Sequence, residues 1–495
     1  MKKLTLLLAF IPMLGFSQIT QEIRKELDVR ESSASNVIVV GDQGLVTYGY
    51  RNERGAPDVM EIVSYSTDFE QINSKEVEYP RKSNCIPVLS DEKDYIHFVF
   101  LTKKEIHTFA YSTKDYKITE KEVTLDKAFT SRSIKEMNGK LFFSGYVKKV
   151  PTIMIYDPFS GKQTYVTLPG INKKRTVESF NADNLKESMV FFYRDGKDIK
   201  HSNMYVFMLG TSGSMRTQPI ELDKDPKYSI IDGKITWINN DEFVLAGTYG
   251  TGKMKLASGI YFSKWSGTTQ TLITYHSFTD FDNFFKYLPE NKQKKIEKKK
   301  AKKESQGKED YVRTWMAVHP VLDLKDSYMF IGEVYYPTYR TETTTSYVNG
   351  KATTTTRQVF DGYQYSHAVV LGLDQDGNKK YDHCFPMSLS DKPYSVILNL
   401  QVSTQNDITK LLYCTGSSIR AFFIDGDQMS DKDYGNITTE KEKEGDKVKW
   451  TGITKSAYWY DNYYIIYGTQ MIKNKENEGN KKRTVFFLSK ISYED

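Results

Sequence analysis

Cysteine is scarce in this chain of 495 residues. Cys85, Cys384 and Cys414 are too few for a disulfide framework, and their spacing fits no zinc motif. An oxidising compartment would permit one bridge, Cys384–Cys414, but three buried thiols acting as small hydrophobes is the favoured reading. Histidine is equally sparse. His97, His107, His201, His276, His319, His367 and His383 contain no i, i+4 ligand pair, and only His97 and His107, in neighbouring strands, could share a site. There is no HExxH, no Walker A loop and no dinucleotide fingerprint, so neither a metal nor a cofactor is expected. Gly210–Ser214 (GTSGS) ends in Ser where a nucleophile elbow needs Gly and reads as a strand-to-strand turn. Asp374–Asn378 (DQDGN) lacks the spacing and closing Glu of a calcium loop and reads as a hairpin turn. No catalytic residue is assigned. After the first residues no apolar run reaches membrane-spanning length. The net charge of +6 is too mild to imply nucleic acid.

What is abundant is aromatic and periodic. The chain holds 27 Phe and 35 Tyr, which favour strands. A short apolar segment recurs eight times, starting at Leu45, Tyr95, Lys140, Ser188, Glu242, Ser327, Thr409 and Tyr463, and each copy is followed by a second such segment. Spacings of about 45 to 55 residues suit four-stranded propeller blades. Turn signals such as Asn138-Gly139 and Ser266-Gly267 punctuate the units. The expected fold is therefore an all-β propeller of eight blades, with seven as the alternative count. The last unit is one strand short, and QEIRKELDV (21–29) belongs to no unit. That segment is expected to supply the missing outer strand and close the ring.

Residues 1–17 read as an export signal: Lys2 and Lys3, an apolar core from Leu4 to Leu14, then Gly15-Phe16-Ser17, with cleavage before Gln18. No Cys follows the core, so no lipid anchor is expected. Residues 18–495 form one domain with two insertions. The first, 276–311, starts with TDFDNFFKYL. A cap at Thr279 or Asp280 would put Phe281, Phe284, Phe285 and Leu288 on one helical face, ahead of a Lys/Glu-rich run that could attract an acidic surface. The second, 337–363, reads as a Thr-rich β-hairpin turning at Asn349-Gly350. In an up-and-down blade, the loop between strands two and three shares a face with the loop to the next blade. The two insertions should therefore be neighbours, with Phe281, Phe284, Phe285, Tyr335, Tyr336, Tyr339 and Tyr347 as candidate partner-binding residues.

The segments "GFSQ", "FDNFFKYLPENKQKKIEKKKAKK" and "GEVYYPTYR…FDGYQYSHAVVLGLD" resemble an exported, propeller-like family of Bacteroidota. In size and signal the chain is also similar to the plug proteins that close the periplasmic mouth of the type IX secretion translocon. The resemblance implies a periplasmic location and work at a machine on the inner side of the outer membrane; it supplies no catalytic residues. The expected function is non-enzymatic binding or scaffolding of a protein partner. The alternative is a propeller enzyme acting on glycans or peptides through carboxylates gathered from several blades.

Overall fold

A computed structural model describes residues 18–29, 32–51, 58–80, 84–167, 176–183, 188–195, 203–214, 220–239, 241–251, 256–307, 312–348, 351–389, 391–405, 407–436, 445–474 and 482–494. The expected export signal, the turn at Asn349-Gly350 and the end of the first insertion lie outside them, as does the side chain of Tyr347.

Eight antiparallel sheets follow one another along the chain. In each, the recurrent apolar segment is the second strand. Tyr95–Leu101 and Glu242–Gly250 are buried almost end to end. Their nearly continuous apolar runs, interrupted by the buried His97 and Thr248, arise because a neighbouring sheet covers each face. Outer strands such as Gln71–Glu78 are largely exposed. Every sheet shares an apolar cluster with the next: sheets 1 and 2 through Val46, Ile62, Ile96 and Phe109, and the following pairs in turn. Sheet 8 then packs on sheet 1, where Trp459, Ile465 and Phe486 meet Leu45, Val63 and Tyr65. Trp459 stacks on Phe69 at 5.8 Å and its Nε1 donates to the Gly44 carbonyl at 2.9 Å. Each such buried side chain contributes about 1.5–3 kcal/mol.

The N-terminal strand Gln18–Asp28 is the outermost strand of sheet 8, pairing from Gln18↔Glu494 to Asp28↔Val485. A buried polar network fixes it. Arg24 donates to Gln470 at 2.6 Å, pairs with Glu26 at 3.0 Å and lies 4.4 Å over the Phe487 ring. Arg483 bridges Glu26 at 2.8 Å and Asp446 at 2.7 Å.

Two inner strands depart from the expected single run. In sheet 5 the strand splits into Ser229–Ile230 and Lys234–Trp237, and in sheet 6 into Trp315–Val318 and Leu322–Leu324. At the first break the backbone crowds Gly247, where a Cβ would stand 2.1 Å from the Asp232 carbonyl. All three cysteines are free thiols, so no Cys384–Cys414 bridge forms.

Candidate interaction face

Strand alternation gives the molecule two unlike faces. One collects the connections between strands one and two and between three and four. The other collects those between strands two and three and between sheets. The first face is built of short turns, such as 138–139, 267–268 and 426–427. The second carries both insertions: 278–314, between sheets 5 and 6, and the hairpin formed by Ser327–Val348 and Lys351–Leu373. Tyr287 of the first insertion reaches His367, in the strand Lys351–Leu373 of the hairpin.

The internal structure of the first insertion differs from the expectation. The Phe-rich segment is not an α-helix. A 3-10 turn, Phe278–Asp280, capped by Ser277 and not by Thr279 or Asp280, leads into irregular turns. The helix, α1 (Glu290–Glu304), is the charged run that follows. The buried Asp382 carboxylate of sheet 6 accounts for the difference. It accepts the backbone N–H groups of Asp282 and Asn283 at 2.9 and 2.8 Å, holding the segment across the sheet. Lys379 bridges Asp282 and Asp382 at 2.8 and 3.1 Å. Phe281 and Phe284 are buried in the cluster shared by sheets 5 and 6, with Phe285 half-buried beside them. Tyr287 stacks at 3.8 Å on His367, whose imidazole burial pushes down to about 3. These contacts dock the insertion and leave Phe281 and Phe284 out of solvent reach.

Helix α1 has no apolar stripe. Gln293, Ile296, Lys300 and Lys303 are half-buried, and Lys292, Lys294, Lys295, Lys298, Lys299 and Lys302 are exposed. Lysines three and four apart repel by a few tenths of a kcal/mol per pair. One exposed pair, Lys294–Glu290 at 2.6 Å, opposes this. Good helix formers keep the segment helical, and the product is a basic rod on the second face.

The hairpin is longer than its blade. Register runs unbroken from Tyr339↔Phe360 to Val348↔Lys351, about 30 Å at the usual rise. Period-two alternation gives it two sides. One carries Tyr339/Phe360, Thr341/Gln358, Thr343/Thr356 and Thr345/Thr354, without charge. On the other, Glu342 pairs with Arg340 at 2.9 Å and Arg357 at 2.8 Å.

At the hairpin base lies a cleft of about 520 Å³ whose walls include Asp232, Trp315, Tyr335, Tyr339, Phe360 and Tyr363. Tyr335 and Tyr363 meet edge to face at 5.3 Å, as do Phe360 and Tyr363 at 5.0 Å. Burial first, then the Asp232 charge, raises the Tyr335 hydroxyl above its ordinary range. The Asp232 carboxylate accepts the Thr248 N–H and hydroxyl at 3.1 and 2.6 Å, which fits a structural role at the strand break.

Beyond the hairpin, the connection 387–400 exposes Tyr394, Val396, Ile397 and Leu398. Glu333, fully buried, holds its far end. It accepts the Asn399 and Leu400 N–H groups at 2.9 Å, and lies 2.8 Å from His319 Nε2. Sheet 8 extends onto the same face with Val448, Trp450 and Ile453 exposed. Among the described residues, all the exposed large apolar side chains except Ile72, Phe159 and Tyr458 lie toward this face. Of the expected partner-binding residues, Tyr336 and Tyr339 are 45% and 61% exposed, and Tyr335 is half-buried in the cleft wall.

Chemistry elsewhere is thin. Among the described residues no group of three or more His, Cys, Asp or Glu could hold a metal ion. His97 is buried and pushed down to about 4 by that burial, whereas His107 bonds Glu120 at 2.8 Å; the two form no joint site. GTSGS and DQDGN are turns, closed by Gly213 N–H to the Gly210 carbonyl and by Asp374 accepting from Asp376 and Asn378. On the short-turn face, Glu136 accepts the Asp91 and Gly139 N–H groups at 2.9 and 2.6 Å. Burial, with the nearby Asp91 carboxylate, raises Glu136 to about 7. Sequence reading missed the cleft and the Glu333 clasp; both are assembled from distant segments.

No known family profile matches the chain, and no curated protein matches it. Among solved structures, it is similar to the β-propeller domain of the Trilobed protease from Pyrococcus furiosus, at 9% identity over 83% of this chain and 98% of that one, TM-score 0.38. It is similar to the polysaccharide lyase Uly1, at 9% identity over 95% and 99%, TM-score 0.37. It is also similar to the WD40 domain of SCAP from fission yeast, at 8% identity over 96% and 98%, TM-score 0.33.

Proposed function

We propose that the chain is an eight-bladed β-propeller, closed by its N-terminal strand, that acts after export as a non-enzymatic periplasmic scaffold for a protein partner. The cyclic succession of apolar clusters from sheet 1 through sheet 8 and back to sheet 1 supports the ring. The function rests on one observation: most of the exposed apolar side chains, the basic helix and the hairpin are concentrated on one face, while the opposite face consists mainly of short turns. Patches of this kind mark interaction surfaces. Tyr and Trp supply anchoring area, and the α1 lysines add attraction for an acidic rim. Among the described residues no helix is long and apolar enough to cross a membrane, so association with an outer-membrane or secretion machine would run through protein contacts.

The test is capture from native membranes with the whole exported protein. A partner should be retained by the native chain and by variants of the short-turn face. It should be lost when Tyr339, Tyr394 and Trp450 are changed to Ala together. Retention by that triple variant, or turnover of a glycan or peptide substrate by the purified protein, would overturn the reading.

A further inference from the structure

The strand Ser327–Val348 changes its neighbours partway along. Up to Tyr335 it lies between two strands, with Trp315 opposite Tyr335 on the inner side. The chain preceding Trp315 then leaves the sheet, and Thr314 bridges to Ala257 of sheet 5 instead. Among the described residues, no strand replaces it beside 336–345. The vacated edge rises directly from the cleft, whose walls contain Trp315 from the departing strand and Tyr335, Pro337 and Tyr339 from the strand left behind.

An edge of this kind presents alternate N–H and C=O groups outward. Proteins ordinarily blunt such edges with Lys, Pro or a bulge. Here the register shifts fall at the base, at Val334/Tyr335 and Pro337/Tyr339, and residues 341–348 contain neither Lys nor Pro. The base therefore aims the ribbon and the rest is left open. Its uncharged Thr side continues from Tyr339 and Phe360, so a chain leaving the cleft would meet no charge along that side.

We propose that this edge receives an extended polypeptide segment of the partner as a third strand beside residues 338–345, with one bulky aromatic or aliphatic side chain seated in the aromatic cleft. Main-chain hydrogen bonds would supply affinity and the cleft would supply selectivity, as in other strand additions. The proposal rests on the reading of this face as partner-binding and names the form the partner takes. A bilayer fits less well. A polar ribbon with open edges cannot enter hydrocarbon, and one standing about 30 Å proud would hold the remaining apolar groups away from a flat surface.

A random phage-displayed peptide library panned on the whole mature protein provides the probe. Selected peptides should carry alternating apolar residues and should show a strand-type amide band when bound in isotope-labelled form. They should bind at least about tenfold more weakly, 1.4 kcal/mol, to Tyr339→Ala and to a chain whose residues 341–358 are replaced by a short turn. Neighbouring strand residues direct their N–H groups oppositely. Of Thr343→Pro and Thr344→Pro, one should therefore block the edge while amide exchange shows the ribbon intact, and that variant should lose binding. The proposal is overturned if no peptide is selected, if peptides bind equally without the ribbon, if the bound peptide is helical, or if anionic vesicles bind the ribbon-dependent site in their place. If the edge-blocking variant still captures the native partner and the Tyr339, Tyr394 and Trp450 triple variant does not, the partner-binding face stands and strand addition falls.

Discussion

The two faces of this molecule are made from the same eight sheets yet obey different constraints. On the short-turn face the backbone leaves little freedom. Gly44 sits at φ 115°, and a Cβ there would stand 2.0 Å from the Tyr65 carbonyl. Glu136 ties two neighbouring turns, accepting from Asp91 on one and Gly139 on the other. On the opposite face the chain departs from its repeat twice, and each departure is tied down only near its root. Phe281 and Phe284 anchor the first; the stem beside Trp315 anchors the second. Loop length costs entropy only slowly, so this face can lengthen while the other cannot. Turn geometry constrains one side, and the insertions extend the other.

That contrast can be broken most directly by substitution. Gly44→Ala forces a side chain into a region essentially reserved for glycine and against a carbonyl. It should cost about 3 kcal/mol or more, read as a loss of denaturant midpoint at constant slope. Phe284→Ala, at the root of the first insertion, should cost about 3 kcal/mol as a buried aromatic truncation. Its first sign should be faster amide exchange across residues 278–288, because that segment can undock before the sheets part.

A pH series sharpens the comparison further. Glu136 is raised to about 7 in the folded protein by burial, above the ordinary unfolded carboxyl value. Its contribution is therefore fully present below about pH 4.5 and is lost as pH rises through about 7. The melting temperature should decline between pH 5 and 8, and Glu136→Gln should flatten that decline. On the long-loop side the sign reverses. His367, pushed down to about 3 by burial, resists protonation, so its penalty grows as pH falls below the ordinary imidazole range. Acid should loosen the first insertion, visible as exposure of Tyr287 to fluorescence quenching.

The smallest effect on stability should come from the projecting parts. Replacing residues 341–358 by a short turn should leave the melting temperature within about 1 °C, since few buried contacts are lost. Changing Lys294, Lys295, Lys298 and Lys299 to Gln should leave stability unchanged or slightly raised, because like-charge pairs disappear. That variant should also weaken the salt dependence of partner capture. A large loss of stability from either change would show that the long-loop face carries structural load.

Much of the architecture was legible because its signal is local. Second strands covered on both sides read as apolar runs, and the hairpin reads from its period of two. The unpaired segment 21–29 pointed to the outer strand of sheet 8, where Gln18–Asp28 lies. The apolar spacing of Phe281, Phe284, Phe285 and Leu288 misled because turns pinned by Asp382, about a hundred residues away in sequence, can bury the same positions as a helix. Mixed charges at i to i+4 spacing in the Lys/Glu-rich run permit a solvated helix, and α1 forms there. The cleft was marked only in part. Tyr335 and Tyr339 stood out at the hairpin base, where Phe360 pairs with Tyr339, but nothing in the sequence linked them to Asp232, which joins them once sheet 5 packs on sheet 6. The split inner strands were hidden too, because Gly247 announces close approach without saying which backbone approaches.

The pairing of Gln18 with Glu494 has a consequence for the order of events in the cell. Of the described strands, the first in the chain waits for the last. Until the C-terminal hairpin has emerged, Arg24 and Glu26 face no Gln470 or Arg483 and Trp459 is absent from the seam. Until then Gln18–Asp28 has no strand to pair with. Sheets can accrete one by one, but this pairing closes late, because it joins strands at opposite ends of the described residues. A chain built this way stays unlocked until its most distant strands have met.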